Sequence, residues 1–153
     1  MTGCPGVTYG GRRRCHEHRP LVELVCGPPG AGKTTYVLER LRPGDVIVDV
    51  DRLFAALSGL PEHNKPEVLL PVVLAARDAA VTAAADAGVG KVWVITCGAT
   101  PDQRRAALCG IQADMTTTLE TPAAVCLERI GADPFRRTHA AASIERWFSE
   151  ARA

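Results

Sequence analysis

The sequence predicts an α/β fold of three layers around a parallel sheet of four or five strands, and three observations carry that prediction. From residue 21 onward, short apolar runs alternate with segments of helical periodicity, the pattern of a parallel sheet covered by crossover helices. The first run, Leu21 to Cys26, ends in a glycine-rich turn that opens directly into a helical pattern. The composition is that of a single globular domain: 153 residues, 46% hydrophobic, 23% charged and only 5% aromatic. Such a core must be built from Ala, Val, Leu and Ile.

Leu21 to Cys26 is apolar enough for a central strand buried on both faces. A first helix is expected from Lys33 through Tyr36, Val37, Leu38 and Leu41, stopped by Pro43 and Gly44. The second strand follows over Asp45 to Asp49, then a short helix over Asp51 to Ser58 and a turn-rich loop over Gly59 to Pro66. Val68 to Ala87, rich in alanine and ended by Gly88, is the longest helical pattern, with Pro71 in its first turn. Lys91 to Thr96 gives the third strand and Pro101 to Leu108 a helix entered at its proline. Asp114 to Leu119, with three threonines, is the fourth strand. Pro122 to Ile130 is read as a helix and Gly131 to Thr138 as a loop. A terminal helix over Ala140 to Arg152 places Ile144, Trp147 and Phe148 on one core-anchoring face.

Residues 1 to 20 differ in character: they are rich in Gly, Arg, Cys and His, without apolar periodicity. The chain therefore divides into an amino-terminal arm, 1–20, and a folded domain, 21–153. Cys4, Cys15 and His18, with His16 beside them, have the ligand types of a zinc site, although without the two close pairs of a standard structural site. Arg12, Arg13 and Arg14 give the arm a local positive charge suited to nucleic-acid phosphates. The whole chain carries only +1, so any such surface is local. No apolar leader precedes the arm, and no stretch is read as long enough to cross a bilayer, so a soluble cytoplasmic protein without a membrane partner is expected. Cys26, Cys97, Cys109 and Cys126 lie in or beside apolar segments and are expected to be reduced core residues.

The chemistry concentrates at Gly27-Pro28-Pro29-Gly30-Ala31-Gly32-Lys33-Thr34, followed by Thr35. Glycines at these spacings let the backbone approach a triphosphate closely, and the amides of the loop and first helical turn point at its oxygens. In this P-loop pattern Lys33 neutralises the β- and γ-phosphates, Thr34 ligates Mg²⁺ and Thr35 contacts the α-phosphate. ATP with Mg²⁺ is the expected ligand. After the second strand come Asp49 and Asp51, at the carboxyl end of the sheet where ligands of open parallel sheets bind. Asp51 is expected to accept the proton of an attacking hydroxyl, and Asp49 to hold Mg²⁺ through water. Either acid could instead cap the following helix.

Taken together, Gly-x-Pro-Gly-x-Gly-Lys-Thr-Thr, the Asp49-Val50-Asp51-Arg52-Leu53 segment, Pro101-Asp102-Gln103-Arg104-Arg105 and Glu120-Thr121-Pro122 with Cys126-Leu127-Glu128-Arg129 resemble the small P-loop kinases. The polynucleotide kinase branch and its phage-encoded relatives look most similar, over roughly residues 21 to 150. The resemblance implies a P-loop NTPase fold with a short lid and ATP-dependent phosphorylation of a hydroxyl. It also implies a base at Asp51 and a lid arginine, for which Arg129, Arg136 and Arg137 are the candidates. Phe54 and Cys97-Gly98 replace the arginine and acid that polynucleotide kinases carry there, so the acceptor stays open among a polynucleotide 5′-hydroxyl, a nucleotide and a small metabolite. A second reading is an ATPase or a nucleotide-responsive module that binds nucleic acid or protein. Against it stand the shortness of the chain and the lack of a strand ending in an acidic pair. Arg77 is expected on the surface beside Asp78, and Arg104 and Arg105 on the outer face of their helix.

Overall fold

A computed structural model describes residues 7–9, 12–14, 19–131 and 134–150, with side chains over 19–131 and 139–150. The elements run β1 (Val7–Tyr9), β2 (Arg12–Arg14), β3 (Leu21–Cys26), α1 (Lys33–Leu38), β4 (Val46–Asp49), α2 (Val50–Ser58), a 3₁₀ turn (Glu67–Leu69) and α3 (Leu70–Ala87). They continue with β5 (Lys91–Ile95), α4 (Pro101–Gly110), β6 (Met115–Thr118), α5 (Ala123–Ile130) and α6 (Pro134–Glu150). Four strands form one parallel sheet, as the sequence predicts, in the order β4-β5-β3-β6. β3 is central because its residues pair on both sides, with Lys91 to Ile95 of β5 and with Met115 to Thr118 of β6.

The two-residue period of the strands sorts the core into two layers. Val22, Leu24 and Cys26 of β3 join Val48, Val92 and Val94 on one face, beneath Val81 and Ala84 of α3 and Ala107 of α4. Val25, Trp93 and Ile95 face the other way and pack on Val37 of α1. A third cluster joins Ala31 of the glycine loop to Cys126 and Ile130 of α5 and Ile144 of α6. Through that cluster the terminal helices bear directly on the loop.

Several expectations need correction. In the arm, β1 and β2 pair antiparallel where no element was expected. Cys4, Cys15, His16 and His18 lie outside the described residues, and among the described residues no group of three or more His, Cys, Asp or Glu could hold a metal. α1 stops at Leu38, because the Arg40 amide turns back to the Val37 carbonyl, an i→i−3 bond that tightens the last turn. α6 begins at Pro134, within the segment expected to be loop, as suits a proline in a first helical turn. Arg136 and Arg137 therefore stand in the first turn of a helix, and their side chains lie outside the described residues.

The segment Glu67–Ala87, 21 residues with a mean hydropathy of 1.7, is long and apolar enough to cross a bilayer, contrary to the expectation. Val73, Val81, Ala84 and Ala85 of this helix are buried in the domain. Cys109 is exposed, whereas Cys26 and Cys126 are buried and reduced as expected.

Candidate functional site

The loop between β3 and α1 is bent by three glycines in dihedral regions that side chains disfavour. Gly27 has φ +154°, Gly30 +78° and Gly32 +92°. Space is as restrictive as torsion: a Cβ on Gly30 would stand 2.5 Å from the Cys126 carbonyl oxygen, and one on Gly27 2.9 Å from that of Leu119. The sequence rule that glycines allow a ligand to approach closely thus has a second cause, the contact of the loop with β6 and α5. The Gly27 amide donates to the Cys97 carbonyl at 3.1 Å, which ties the loop to the end of β5.

Lys33 opens α1 and folds back over the loop, its ammonium donating to the carbonyls of Gly27 at 2.8 Å and Pro28 at 2.9 Å. Burial pushes its pKa down, opposed by the negative groups around it, among them Asp51 and Asp49. A triphosphate would give this ammonium stronger partners than two neutral carbonyls.

Asp49 and Asp51 stand where β4 turns into α2. Asp49 is the N-cap of that helix, its Oδ1 accepting from the Asp51 amide at 3.0 Å, so the capping alternative falls to Asp49. Burial raises its pKa, and the Asp51 charge raises it further. A cation nearby would relieve both effects. The Thr34 hydroxyl and this carboxylate are hard oxygen donors, a set that fits Mg²⁺, which retains waters and phosphate oxygens for the rest of its shell.

Asp51 is half-exposed and pairs with Lys65, whose ammonium donates to Oδ1 at 2.7 Å. Both line a cavity of about 500 Å³ that reaches Pro29 of the glycine loop on one side and His139 and Ser143 of α6 on another. Residues 62 to 65 also line it. No sequence signal singled out Lys65, because it stands 14 positions from Asp51 in a loop with no periodicity.

A second cavity, of about 490 Å³, runs along α1 and α5 and is lined by Gly32, Thr35, Tyr36, Arg40, Thr121 and Arg129. Arg129 is the lid candidate whose side chain is described, and it reaches the loop: its Nη1 donates to the Ala31 carbonyl at 3.2 Å. Thr121 reinforces this corner by donating to the same carbonyl at 2.9 Å. The Arg40 guanidinium lies 3.8 Å from the centre of the Tyr36 ring.

Arg104 is not on the outer face of α4. Its Nη1 donates to the Gly98 carbonyl at 2.7 Å, and its guanidinium stands 5.8 Å from the Trp147 ring. Trp147 in turn donates from Nε1 to the Cys97 carbonyl at 3.4 Å. These bonds shape the segment after β5 that holds the Gly27 amide. Arg105 is exposed and pairs loosely with Asp102, as expected of a surface arginine. Arg77 is buried rather than on the surface, its side chain only 8% exposed and bonded to Asp78. Glu23 was missed altogether. It sits in mid-β3 on the α1 side, taking bonds from Lys91 at 2.5 Å and Thr117 at 2.7 Å, and bracing Tyr36.

A protein family described as an AAA domain matches residues 22–150. No curated protein matches the sequence. Among solved structures, a chain of the Pnkp1/Rnl/Hen1 RNA repair complex superimposes with a TM-score of 0.68 at 16% identity. The match covers 87% of this chain but 45% of that one, so this chain spans less than half of that relative's length. The Deinococcus radiodurans tunicamycin resistance protein gives 0.61 at 22% identity, over 88% of this chain and 82% of that one. The Mycobacterium tuberculosis APS kinase CysC, in complex with AMPPNP and APS, gives 0.56 at 19% identity, over 81% and 76%. At these identities the likeness is one of fold alone.

Proposed function

The chain belongs to this AAA-domain family, and on that footing we propose that it is an ATP-dependent phosphotransferase with a hydroxyl group as acceptor. One observation carries the reading: the P-loop residue Pro29 and the carboxylate of Asp51 line the same cavity, so a phosphate held by the loop and a hydroxyl held by the aspartate would meet. Backbone amides of Gly27 to Thr34 and the Lys33 ammonium would hold the phosphates, and the second cavity, with Thr35, Tyr36 and Arg129, would take the nucleoside side.

Mg²⁺, held by Thr34 and through water by Asp49, would supply charge neutralisation on the phosphate oxygens. Asp51 would accept the acceptor's hydroxyl proton as the new oxygen–phosphorus bond forms. The bond to the bridging oxygen breaks at the same centre, and ADP leaves. Arg129, with Arg136 and Arg137 as further candidates, would stabilise the charge on the transferring group.

The acceptor classes that the sequence leaves open are a polynucleotide 5′-hydroxyl, a nucleotide and a small metabolite. Transfer of label from γ-labelled ATP tests the proposal. Lys33→Ala should abolish transfer and nucleotide binding together. Asp51→Asn should lower turnover by about 10²- to 10⁴-fold while nucleotide still binds. Release of free phosphate without any acceptor, at a rate unchanged by Asp51→Asn, would turn the reading to a simple ATPase.

A further inference from the structure

We infer that the acceptor is a small polyhydroxylated anion and that Lys65 is the residue that anchors its negative group. The inference rests on the proposed phosphotransferase reading and deepens it.

Three features of the Asp51 cavity carry it. First, at about 500 Å³ the space is that of a small-molecule site, and among the described residues Pro29 and Ala140 are its apolar lining, with no Phe, Tyr, Trp, Leu, Ile, Val or Met. Second, Asn64 and Ser143 offer neutral donors and acceptors at different points of the wall, the equipment for hydroxyl groups. Third, once Asp51 is assigned to the reacting hydroxyl, the ammonium of Lys65 is left without that carboxylate, with Glu62 as the other charged group of the described lining and the imidazoles of His63 and His139 as further polar groups.

The Lys65–Asp51 pair supplies the means. As long as the ammonium stands 2.7 Å from Oδ1, it occupies the side of the carboxylate that the acceptor's hydroxyl needs. An acceptor with a carboxylate or phosphate a few atoms from its hydroxyl exchanges both partners at once. Its anion takes the ammonium, and its hydroxyl takes Asp51. Lys65 is 38% exposed and Asp51 50%, so the pair is weak enough to exchange. A neutral or cationic acceptor would have to displace the ammonium without replacing its counter-charge.

Gluconate, sorbitol and 1-amino-1-deoxysorbitol are six-carbon polyols that are anionic, neutral and cationic, and each can be titrated into the full chain saturated with ADP and Mg²⁺ while ligand-observed NMR follows binding. Gluconate should bind about fivefold more tightly than the other two, near the upper end of the discrimination one partly exposed charge pair can give. Lys65→Ala should reduce that ratio to within about twofold, and Lys65→Arg should retain it. Equal binding of the three, preference for the amine, or a ratio unchanged in Lys65→Ala would overturn the inference. So would failure of all three to saturate by about 50 mM, or phosphorylation of a 5′-hydroxyl oligonucleotide that gluconate does not inhibit. Nucleotide titration of wild type and Lys33→Ala, done in parallel, keeps failure of the ATP reading distinct from failure of the acceptor inference.

Discussion

Replacing Lys91 by methionine probes the charge pair that lies beneath the P-loop helix. Glu23 sits in the central strand with its side chain 3% exposed, and Lys91, on the adjacent strand, compensates it at 2.5 Å while covering the Trp93 ring at 3.5 Å. Burial alone would push the Glu23 pKa up, but hydrogen bonds from Lys91 and Thr117 and the Lys91 charge bring it below the usual carboxylate range. Methionine keeps most of the lysine stem's volume and its cover over Trp93, so the loss isolates the charge. Removing one partner of a buried pair costs about 3 to 5 kcal/mol, and the remaining Thr117 and Tyr36 hydroxyls place this case near the lower end, at about 3 kcal/mol. For a domain of this size that lowers the melting temperature by about 9 °C.

The pH dependence is the sharper signature. In the wild type a depressed Glu23 pKa contributes stability above the unfolded value of about 4.3, and that contribution is lost as pH falls through the lower folded value. In Lys91→Met burial dominates and the folded pKa rises above the unfolded one, so the penalty at neutral pH is relieved on acidification. The stability gap between the two proteins should therefore narrow from pH 7 toward pH 4. Urea denaturation at stepped pH measures it. A gap under about 1 kcal/mol at pH 7, or one that stays constant with pH, would refute the account of Glu23 as a buried, compensated carboxylate.

Gly30→Ala should cost about 3 kcal/mol, combining the left-handed dihedral with a backbone contact at 2.5 Å, whereas Gly44→Ala, at φ +90° with nothing within 4 Å, should cost only about 1 to 2. Melting curves of the two variants check the difference; equal losses would remove the steric role of Cys126. Arg129→Ala should slow phosphoryl transfer by about 10²-fold with a stability change under about 1 kcal/mol, since the side chain bonds only two loop carbonyls at 3.2 and 3.4 Å. Steady-state kinetics with an identified acceptor, alongside melting, would show this, and an unchanged rate would leave Arg129 a purely structural contact.

The phosphate-binding loop was legible because everything it needs is local. Glycine spacing, a strand before and a helix after, and a lysine at the helix start all fall within about a dozen consecutive residues, from Leu21 to Thr34. The four parallel strands were legible for a similar reason: short apolar runs such as Leu21 to Cys26 and Lys91 to Thr96, set between helical patterns, are written along the chain. Asp49 and Asp51 were placed at the correct strand end, but their division of labour was not readable. Which one caps α2 depends on where the backbone changes from extended to helical, and Asp49 is the last extended residue. The start of α6 at Pro134 was missed because the arginines after it looked like loop, whereas proline in a first turn favours the helix.

Sequence by itself determined the sheet, the glycine loop after its central strand and the strand end that carries Asp49 and Asp51. Tertiary structure alone decided what those groups face. Lys65 meets Asp51 across 14 residues, Lys91 meets Glu23 across 68, and Trp147 meets the Cys97 carbonyl across 50. Arg77 and Arg104 were expected at the surface, but Arg77 is buried against Asp78 and Arg104 is half-buried and bonded to the carbonyl of Gly98. The physical reason is that torsional preference and apolar periodicity act between near neighbours, whereas the partner of a charge is set by which distant segments the folded chain brings within hydrogen-bond reach.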